Sequence, residues 1–388
     1  MGHHLGSKSS IVPLIDRLNK YPIGLVDNEK LRQILAILFT EEEAYIASRF
    51  PLEEATLAEL ARVTEVDETR LEPILNVMAD KGLVMDLPYG KQTYYLLMPG
   101  LICFFEFTFM KQRADLPVAE LARLMHEYLH DDPQTGQAKE FFGSKTQLTR
   151  AIPYDEHIPV SSTVTTHESA REIIKNATFG AVGMCYCRHK KEHLGETCKK
   201  GAPLENICIS LGTGARFLAR RGFAEQKSTE ELLAIIDRAH ELNLTHITDN
   251  IRHQPSFICN CCSCCCELLA GIHEGYSEGV AKANFIVHVD AESCTDCGLC
   301  TQACNAKALE LREANKKKLK VLEKVCLGCG ACISSCPSSA LSLVPMQRPD
   351  PPHKKKDLFF SILKEKKRLK PFVVGRVKKT LRKPFAKS

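Results

Sequence analysis

All but one of the 19 cysteines fall between Cys185 and Cys336, at spacings suited to holding metal. Cys294, Cys297, Cys300 and Cys304 read C-x2-C-x2-C-x3-C, and Cys326, Cys329, Cys332 and Cys336 repeat the run, with Pro337 completing the second copy. Three thiols on one tight loop can meet three corners of a small metal cluster, while the fourth must arrive from elsewhere in the fold. Gly298, Gly328 and Gly330 lie inside these loops, where a backbone without Cβ wraps closely at little steric cost. The register extends past the thiols: Ala308 and Ala340, Leu309 and Leu341, and Leu311 and Leu343 are all 32 positions apart, as the cysteines are. One structural unit is therefore present twice.

This double run resembles the bacterial-type two-cluster ferredoxins. In that family the fourth cysteine of each run serves the other cluster. The resemblance implies one [4Fe-4S] cluster on Cys294, Cys297, Cys300 and Cys336, and a second on Cys326, Cys329, Cys332 and Cys304. Asn305 stands where the second copy has Pro337, a departure that loosens a loop and removes no ligand. Lys316, Lys317 and Lys318 are expected in an enlarged hairpin turn between residues 309–311 and 319–321. Zinc also takes four thiolates, but structural zinc sites pair two C-x2-4-C knuckles rather than triple runs. Two neighbouring cubanes exchange single electrons and leave no coordination position open, so electron transfer is the expected role.

Upstream, Cys185, Cys187, Cys198 and Cys208 read C-x-C-x10-C-x9-C, and Cys259, Cys261, Cys262, Cys264, Cys265 and Cys266 put six thiols into eight residues. In a reducing compartment such density points to metal rather than disulfides. The first group offers a complete four-thiolate site, with Arg188, Lys190 and Lys191 favouring the ionised thiols. A third [4Fe-4S] cluster is expected there, with zinc as the rival and His189 or His193 as substitutes for a thiol. Neighbouring side chains point apart in regular structure, so the six-thiol run cannot converge on one metal. Helical geometry would group Cys259, Cys262 and Cys266, leaving Cys261, Cys264 and Cys265 for another cluster. A catalytic dithiol and a larger iron-sulfur assembly stay open. CYCRH and CNCCSCCC ahead of the double run are similar to multi-cluster ferredoxin-like proteins of anaerobes, over residues 181–344, and that similarity brings no reaction with it. Cys103, in an apolar stretch, is expected to be a buried structural thiol.

The elements that position these residues form an α+β multidomain chain. Helical apolar spacing over residues 30–48, 53–63 and 71–78, then strands at 83–87 and 93–97 turning at Pro88-Tyr89-Gly90, resemble a winged helix over residues 28–98. Its third helix opens at Asp67 and Glu68, which disfavours phosphate contact, so DNA is the lesser partner. Residues 99–159 read as a helical segment, amphipathic over 116–129, followed by a linker. A cysteine-rich α/β domain spans 160–275, with a strand at 160–164, a capping box at Thr165 to Glu168, a helix over 169–176, and another from Ser228 to about Leu242. The two-cluster domain spans 284–346, and a basic tail 347–388.

Composition excludes several classes. With 44% hydrophobic and 26% charged residues, wholesale disorder is ruled out. The polar start and the charges at Asp16, Arg17 and Lys20 give no secretory signal, so a cytoplasmic location is expected. The apolar run over 96–110 is broken by Pro99, Gly100 and Glu106 and falls short of the ~20 residues of a spanning helix. Residues 353–388 carry fourteen Lys and Arg against Asp357 and Glu365 while the whole chain is only +5, so the body is net acidic. Basic residues among Leu358, Phe359, Ile362 and Leu363, and again among Phe372, Val373, Val374 and Val377, suit an anionic membrane surface or an acidic partner. No GxGxxG or Walker sequence is present. The expected function is relay of single electrons to or from a partner oxidoreductase, by a subunit rather than a stand-alone enzyme. The alternative is a redox-sensing winged-helix transcription regulator, and a third reading is an enzyme with an open iron in the upstream site.

Overall fold

Local capping sets the first elements. Asn28 accepts the Leu31 N–H at 2.9 Å and starts the helix Glu29–Leu38, which stops at the extended Phe39. Thr40 then opens Glu41–Ser48 with a reciprocal capping box to Glu43. The single helix expected over 30–48 is thus two, because a Thr with Glu three residues later satisfies the backbone donors of a new helix start. A second such box, Thr56 with Glu59, starts Leu57–Thr64 straight after strand β1 (Ala55–Thr56), and Asp67 caps Glu68–Asp80.

Strands β2 (Val84–Tyr89) and β3 (Gln92–Leu97) pair antiparallel from Val84 opposite Leu97 to Tyr89 opposite Gln92. Their turn is Gly90-Lys91, with Gly90 at φ +60°, the left-handed conformation such short hairpin turns require. Pro88 and Tyr89, expected in the turn, lie on β2, which tolerates proline as an edge strand. The sheet order is β1-β3-β2. Leu31, Ile34, Leu35, Leu60, Leu71, Leu75 and Met78 are buried on this framework.

A computed structural model describes residues 10–160, 166–314 and 316–370. They form two compact units, residues 10–141 with 359–370, and residues 142–358. The polar segment before Ser10, the strand expected up to Val164, Thr165 and the basic stretch from Phe372 onward lie outside the described residues. The first unit also holds the helix Val118–His130 and the half-buried Cys103, which was expected to be buried. In the same unit Lys366 and Arg368 pair with Glu140 at 2.7 and 2.6 Å. In the helix Lys355–Glu365, Leu358, Ile362 and Leu363 are buried while Phe360 is exposed. Among the described residues, no helix is long and apolar enough to cross a membrane.

The second unit is organised by an antiparallel six-stranded sheet: β4 (Thr149–Ile152), β5 (Gly180–Gly183), β6 (Cys208–Leu211), β7 (Ala224–Gln226), β8 (Thr245–Asp249) and β9 (Phe257–Cys261), in the order β4-β8-β9-β6-β5-β7. The expected linker therefore contributes an edge strand, β4, which is too short for a periodic signal. Ser169, not Thr165, caps the helix Ala170–Lys175, and Thr166–Glu168 forms a 3-10 turn. Ser228 and Glu231 form the capping box of Thr229–Glu241. Ile173, Ile174, Leu232 and Ile236 from these helices pack on Val182, Ile209 and Ile258 of the sheet. Gly180 makes that contact possible, since a Cβ there would stand 2.3 Å from Leu232 Cδ1.

The double run is framed by β10 (Phe285–Val289), β11 (Leu309–Ala314), β12 (Lys316–Val321) and β13 (Leu341–Pro345), pairing β10 with β13 and β11 with β12. Leu309 opposes Val321 and Leu311 opposes Leu319, as expected, but Lys316, Lys317 and Lys318 belong to β12 rather than to a turn.

Candidate metal centres

The two cysteine loops of the double run are shaped by left-handed glycines. Gly298, at φ +79°, caps the short helix Leu299–Ala303 between Cys297 and Cys304. Gly328, at φ +68°, lets the second loop approach β10 so closely that a Cβ would lie 2.1 Å from the Phe285 carbonyl oxygen. The chain crossing that follows brings Cys336 to the first loop: Cys294, Cys297, Cys300 and Cys336 line one opening, with Cys297 exposed and Cys300 buried. Cys304 in turn faces Cys326, Cys329 and Cys332, whose negative charges bear on it. Burial, and then the neighbouring Cys329, pushes the Cys304 thiol up to about 12. The Ala308 N–H donates to Cys304 Sγ at 3.2 Å, and the Thr245 hydroxyl lies 3.6 Å from Cys329 Sγ.

The upstream thiols sort differently from their order in the chain. Cys198, Cys262, Cys264 and Cys265 place their sulfurs all within 4.8 Å of one another, the one such group of three or more ligand atoms among the described residues. Within it Cys198 lies 3.6 Å from Cys262 and 3.8 Å from Cys264, and Cys264 lies 3.6 Å from Cys265. A tetrahedral ion with bonds of 2.3 Å to sulfur sets its ligands about 3.8 Å apart, so the group fits a single metal ion. Cys198 is thus drawn away from Cys185, Cys187 and Cys208, its expected co-ligands. His189 and His193 face each other, with Nε2 atoms 3.2 Å apart, and stay outside the four-sulfur group.

The other six thiols form a second group of mutual neighbours. Cys185 neighbours Cys187 and Cys208, and Cys187 neighbours Cys266. Cys266 neighbours Cys261, Cys261 neighbours Cys259, and Cys259 neighbours Cys208. Three adjacent strands build it. Gly183 opposite Cys208 sets the end of β5, and so Cys185, beside the start of β6. Ile209 opposite Ile258 sets Cys259 beside Cys208. The grouping of Cys259 with Cys262 and Cys266 expected for a helix fails because residues 257–261 are a strand, whose alternation turns Cys259 and Cys261 to one face. Interaction with the neighbouring thiols lowers Cys185, Cys266 and Cys259, the last to about 6. Burial first raises Cys187, and interaction with the neighbouring thiols raises Cys261 and Cys208.

Arg188 lies between the two upstream groups, 3% exposed, with Nη2 2.9 Å from the Asn260 carbonyl oxygen and 3.6 Å from Cys262 Sγ. Burial works against its charge, and the attraction of Cys185, Cys262 and Cys208 outweighs that cost and raises its pKa. Lys190 makes a buried ion pair with Glu267 at 2.8 Å.

Two residues tie the upstream groups to the double run. Asn305, 1% exposed, donates to the Asn243 carbonyl at 2.6 Å and to Thr245 Oγ1 at 3.1 Å, and accepts the Ser263 N–H at 3.2 Å. Lys200 donates to the Ala303 carbonyl at 2.9 Å; burial lowers its pKa while the charges of Cys262, Cys304, Cys264 and Cys329 hold it up. Sequence reasoning missed both roles; the departure from Pro337 at Asn305 was the available signal. It also missed a polar chain behind β9. Glu156 Oε1 lies 2.7 Å from His240 Nδ1, His240 Nε2 lies 2.7 Å from His246 Nε2, and His246 Nδ1 lies 2.6 Å from Asn260 Oδ1. Burial holds His246 at about 3, hence neutral.

A family model described as the 4Fe-4S dicluster domain matches residues 287–343, which contain all eight cysteines of the double run. This segment is an iron-sulfur, ferredoxin-like domain. No curated protein and no solved structure matches the chain.

Proposed function

We propose that the protein relays single electrons to or from a partner oxidoreductase. The observation that supports this most is the convergence of Cys294, Cys297, Cys300 and Cys336 on one opening with an exposed sulfur, inside the matched dicluster segment. In this reading these four hold one [4Fe-4S] cluster, and Cys326, Cys329, Cys332 and Cys304 hold the second. When bound, the clusters supply one-electron chemistry. The chain's own groups tune it. The Ala308 N–H and the Thr245 hydroxyl stabilise negative charge on the sulfurs, and the Lys200 ammonium does so from the side of Cys304 and Cys329. Cys297 offers a partner the shortest approach. Cys198, Cys262, Cys264 and Cys265 hold one tetrahedral ion, zinc or iron, because their sulfurs stand too close together for a cubane.

Residues 28–98 serve as a winged-helix module, a reading supported by the order of helices, short strand and hairpin and by the three-stranded sheet. With Asp67 and Glu68 at the start of its last helix, its role is docking rather than DNA reading. The basic tail meets an acidic partner or an anionic membrane surface at the cytoplasmic side. Buried Leu358, Ile362 and Leu363 leave less apolar surface for the membrane, which favours the partner.

The test is an anaerobic redox titration of the full chain followed by EPR, with electron transfer to an acceptor protein. Two one-electron centres that discharge to the acceptor are expected. Absence of reducible centres in an iron-loaded sample rejects the relay. DNA binding that persists through ~0.15 M salt would favour the regulator instead, since binding by the basic tail alone weakens steeply with salt.

A further inference from the structure

The second unit also holds a cleft that no cysteine lines. Its volume is about 750 Å³, and stretches within residues 142–150, 275–284 and 348–352 wall it together with Asn250. Pockets for small organic molecules have this size, about 300–1,000 Å³. Hydrogen bonds fix the walls. The Ala281 N–H donates to the Thr149 carbonyl at 2.9 Å and the Ala151 N–H to the Ala281 carbonyl at 2.8 Å, so Arg150 stands on β4 between two main-chain ties. Asn250 Nδ2 donates to the Gln147 carbonyl at 2.9 Å, and the Arg252 N–H to the Pro352 carbonyl at 3.0 Å. In Pro349-Asp350-Pro351-Pro352 the prolines fix φ as well. A cleft walled in this way gives up little freedom when a ligand enters.

Charge selects the ligand. Lys145, Arg150, Lys282 and Arg348 line the cleft against Glu278 and Asp350. Both carboxylates are already engaged, Glu278 with Lys282 at 2.6 Å and Asp350 with Arg252 at 3.4 Å. Arg150 is 3% exposed; its Nη2 donates to the His167 carbonyl, while its buried Nε has no hydrogen-bond partner among the described residues. Burial pushes this guanidinium down to about 10 against the attraction of Glu168, so it stays charged at neutral pH. Ser144 Oγ is a second buried atom on the cleft without a partner. Buried polar atoms that the protein leaves unpaired call for a partner the chain does not supply. Phe142 and Tyr276, with ring centroids 5.6 Å apart, add apolar surface to the same cleft. We propose that the cleft binds a small organic anion, its carboxylate or phosphate group held by Arg150 Nε and Ser144 Oγ and its body against Phe142 and Tyr276. The assignment is independent of the electron relay. One wall still adjoins the cluster ligands: Lys282 Nζ donates to the Lys324 carbonyl at 2.7 Å and the Ala283 N–H to the Leu327 carbonyl at 2.9 Å, on either side of Cys326.

The experiment is isothermal titration calorimetry of the full chain, purified without oxygen and loaded with ferrous iron and sulfide, with benzoate, phenyl phosphate and the uncharged benzamide as probes. Saturable binding of an anion, one per chain at millimolar concentration or below, is expected, with benzamide weaker by about tenfold or more. The tighter of benzoate and phenyl phosphate tells whether the natural ligand carries a carboxylate or a phosphate ester. Arg150→Gln should weaken the preferred anion by about tenfold and Ser144→Ala by less. Arg238→Gln, on the exposed side of the helix Thr229–Glu241, should leave it unchanged. No saturable binding of either anion, benzamide bound as tightly as the anions, or an affinity indifferent to both cleft variants overturns the proposal. Where Arg150→Gln fails to fold, Ser144→Ala decides alone: weaker binding supports the site, and unchanged binding overturns it.

Discussion

The two cysteine regions of the second unit use the same side chain at different spacings. In residues 294–336 eight thiols are held apart by two glycine-shaped loops, and no three sulfurs come within 4.8 Å. In residues 198–265 four sulfurs lie within 4.8 Å of one another, three of their contacts at 3.6–3.8 Å. In the reading proposed above, the first arrangement leaves room for inorganic sulfide between its thiols, and the second for one ion. Cysteine density alone does not set how many metals a site takes; the backbone that spaces the sulfurs does.

The largest test of this contrast replaces one sulfur in each region. Cys332→Ser should cost about four irons together with their sulfide, whereas Cys264→Ser should cost about one metal ion and no sulfide. Elemental analysis and visible absorption read both, and equal losses would erase the distinction. Next, a strong zinc chelator on the anaerobic protein should withdraw about one ion per chain from the four-sulfur site while the cluster absorption persists. Simultaneous bleaching would show that the regions are not independent.

Asn305→Pro should sharpen the contrast from the side of stability. It leaves the Ser263 N–H and the Thr245 hydroxyl without that partner, at about 1–3 kcal/mol for each buried group. A fall in the midpoint of thermal unfolding is expected, with cubane iron retained, because the second copy carries Pro337 at this place. An unchanged midpoint would mean that the tie between the regions contributes nothing. The smallest effect is expected for Lys200→Met. Removing the ammonium near Cys304 and Cys329 should lower the potential of one cubane by on the order of 60 mV, the one-electron equivalent of a tenfold shift, and leave the other in place. Equal shifts in both would place Lys200 midway between them.

Much of the dicluster segment was legible because its chemistry is local: ligand spacing, glycines and the 32-residue repeat all lie within one stretch of chain. The first-unit helices were legible from apolar period, except at Thr40, where a capping box interrupts a continuous pattern. The upstream thiols were legible as a dense set, but not in how they group. That depends on strand register, such as Gly183 opposite Cys208 and Ile209 opposite Ile258, and register joins residues far apart in the chain. The period error over residues 257–261 follows from the same cause, since six cysteines in eight residues carry no hydrophobic alternation to separate strand from helix.

Asn305 has a consequence beyond its hydrogen bonds. A motif duplicated in register has, to first approximation, a two-fold axis and therefore neither front nor back. Pro337 in one copy offers no side-chain donor, while Asn305 in the other is bonded to Asn243, Thr245 and Ser263. That single difference gives the doubled motif a polarity: the first copy is moored to the cysteine-rich sheet at its Asn305 end while its Cys297 end stays exposed, and the copy that ends in Pro337 lacks that side-chain tie.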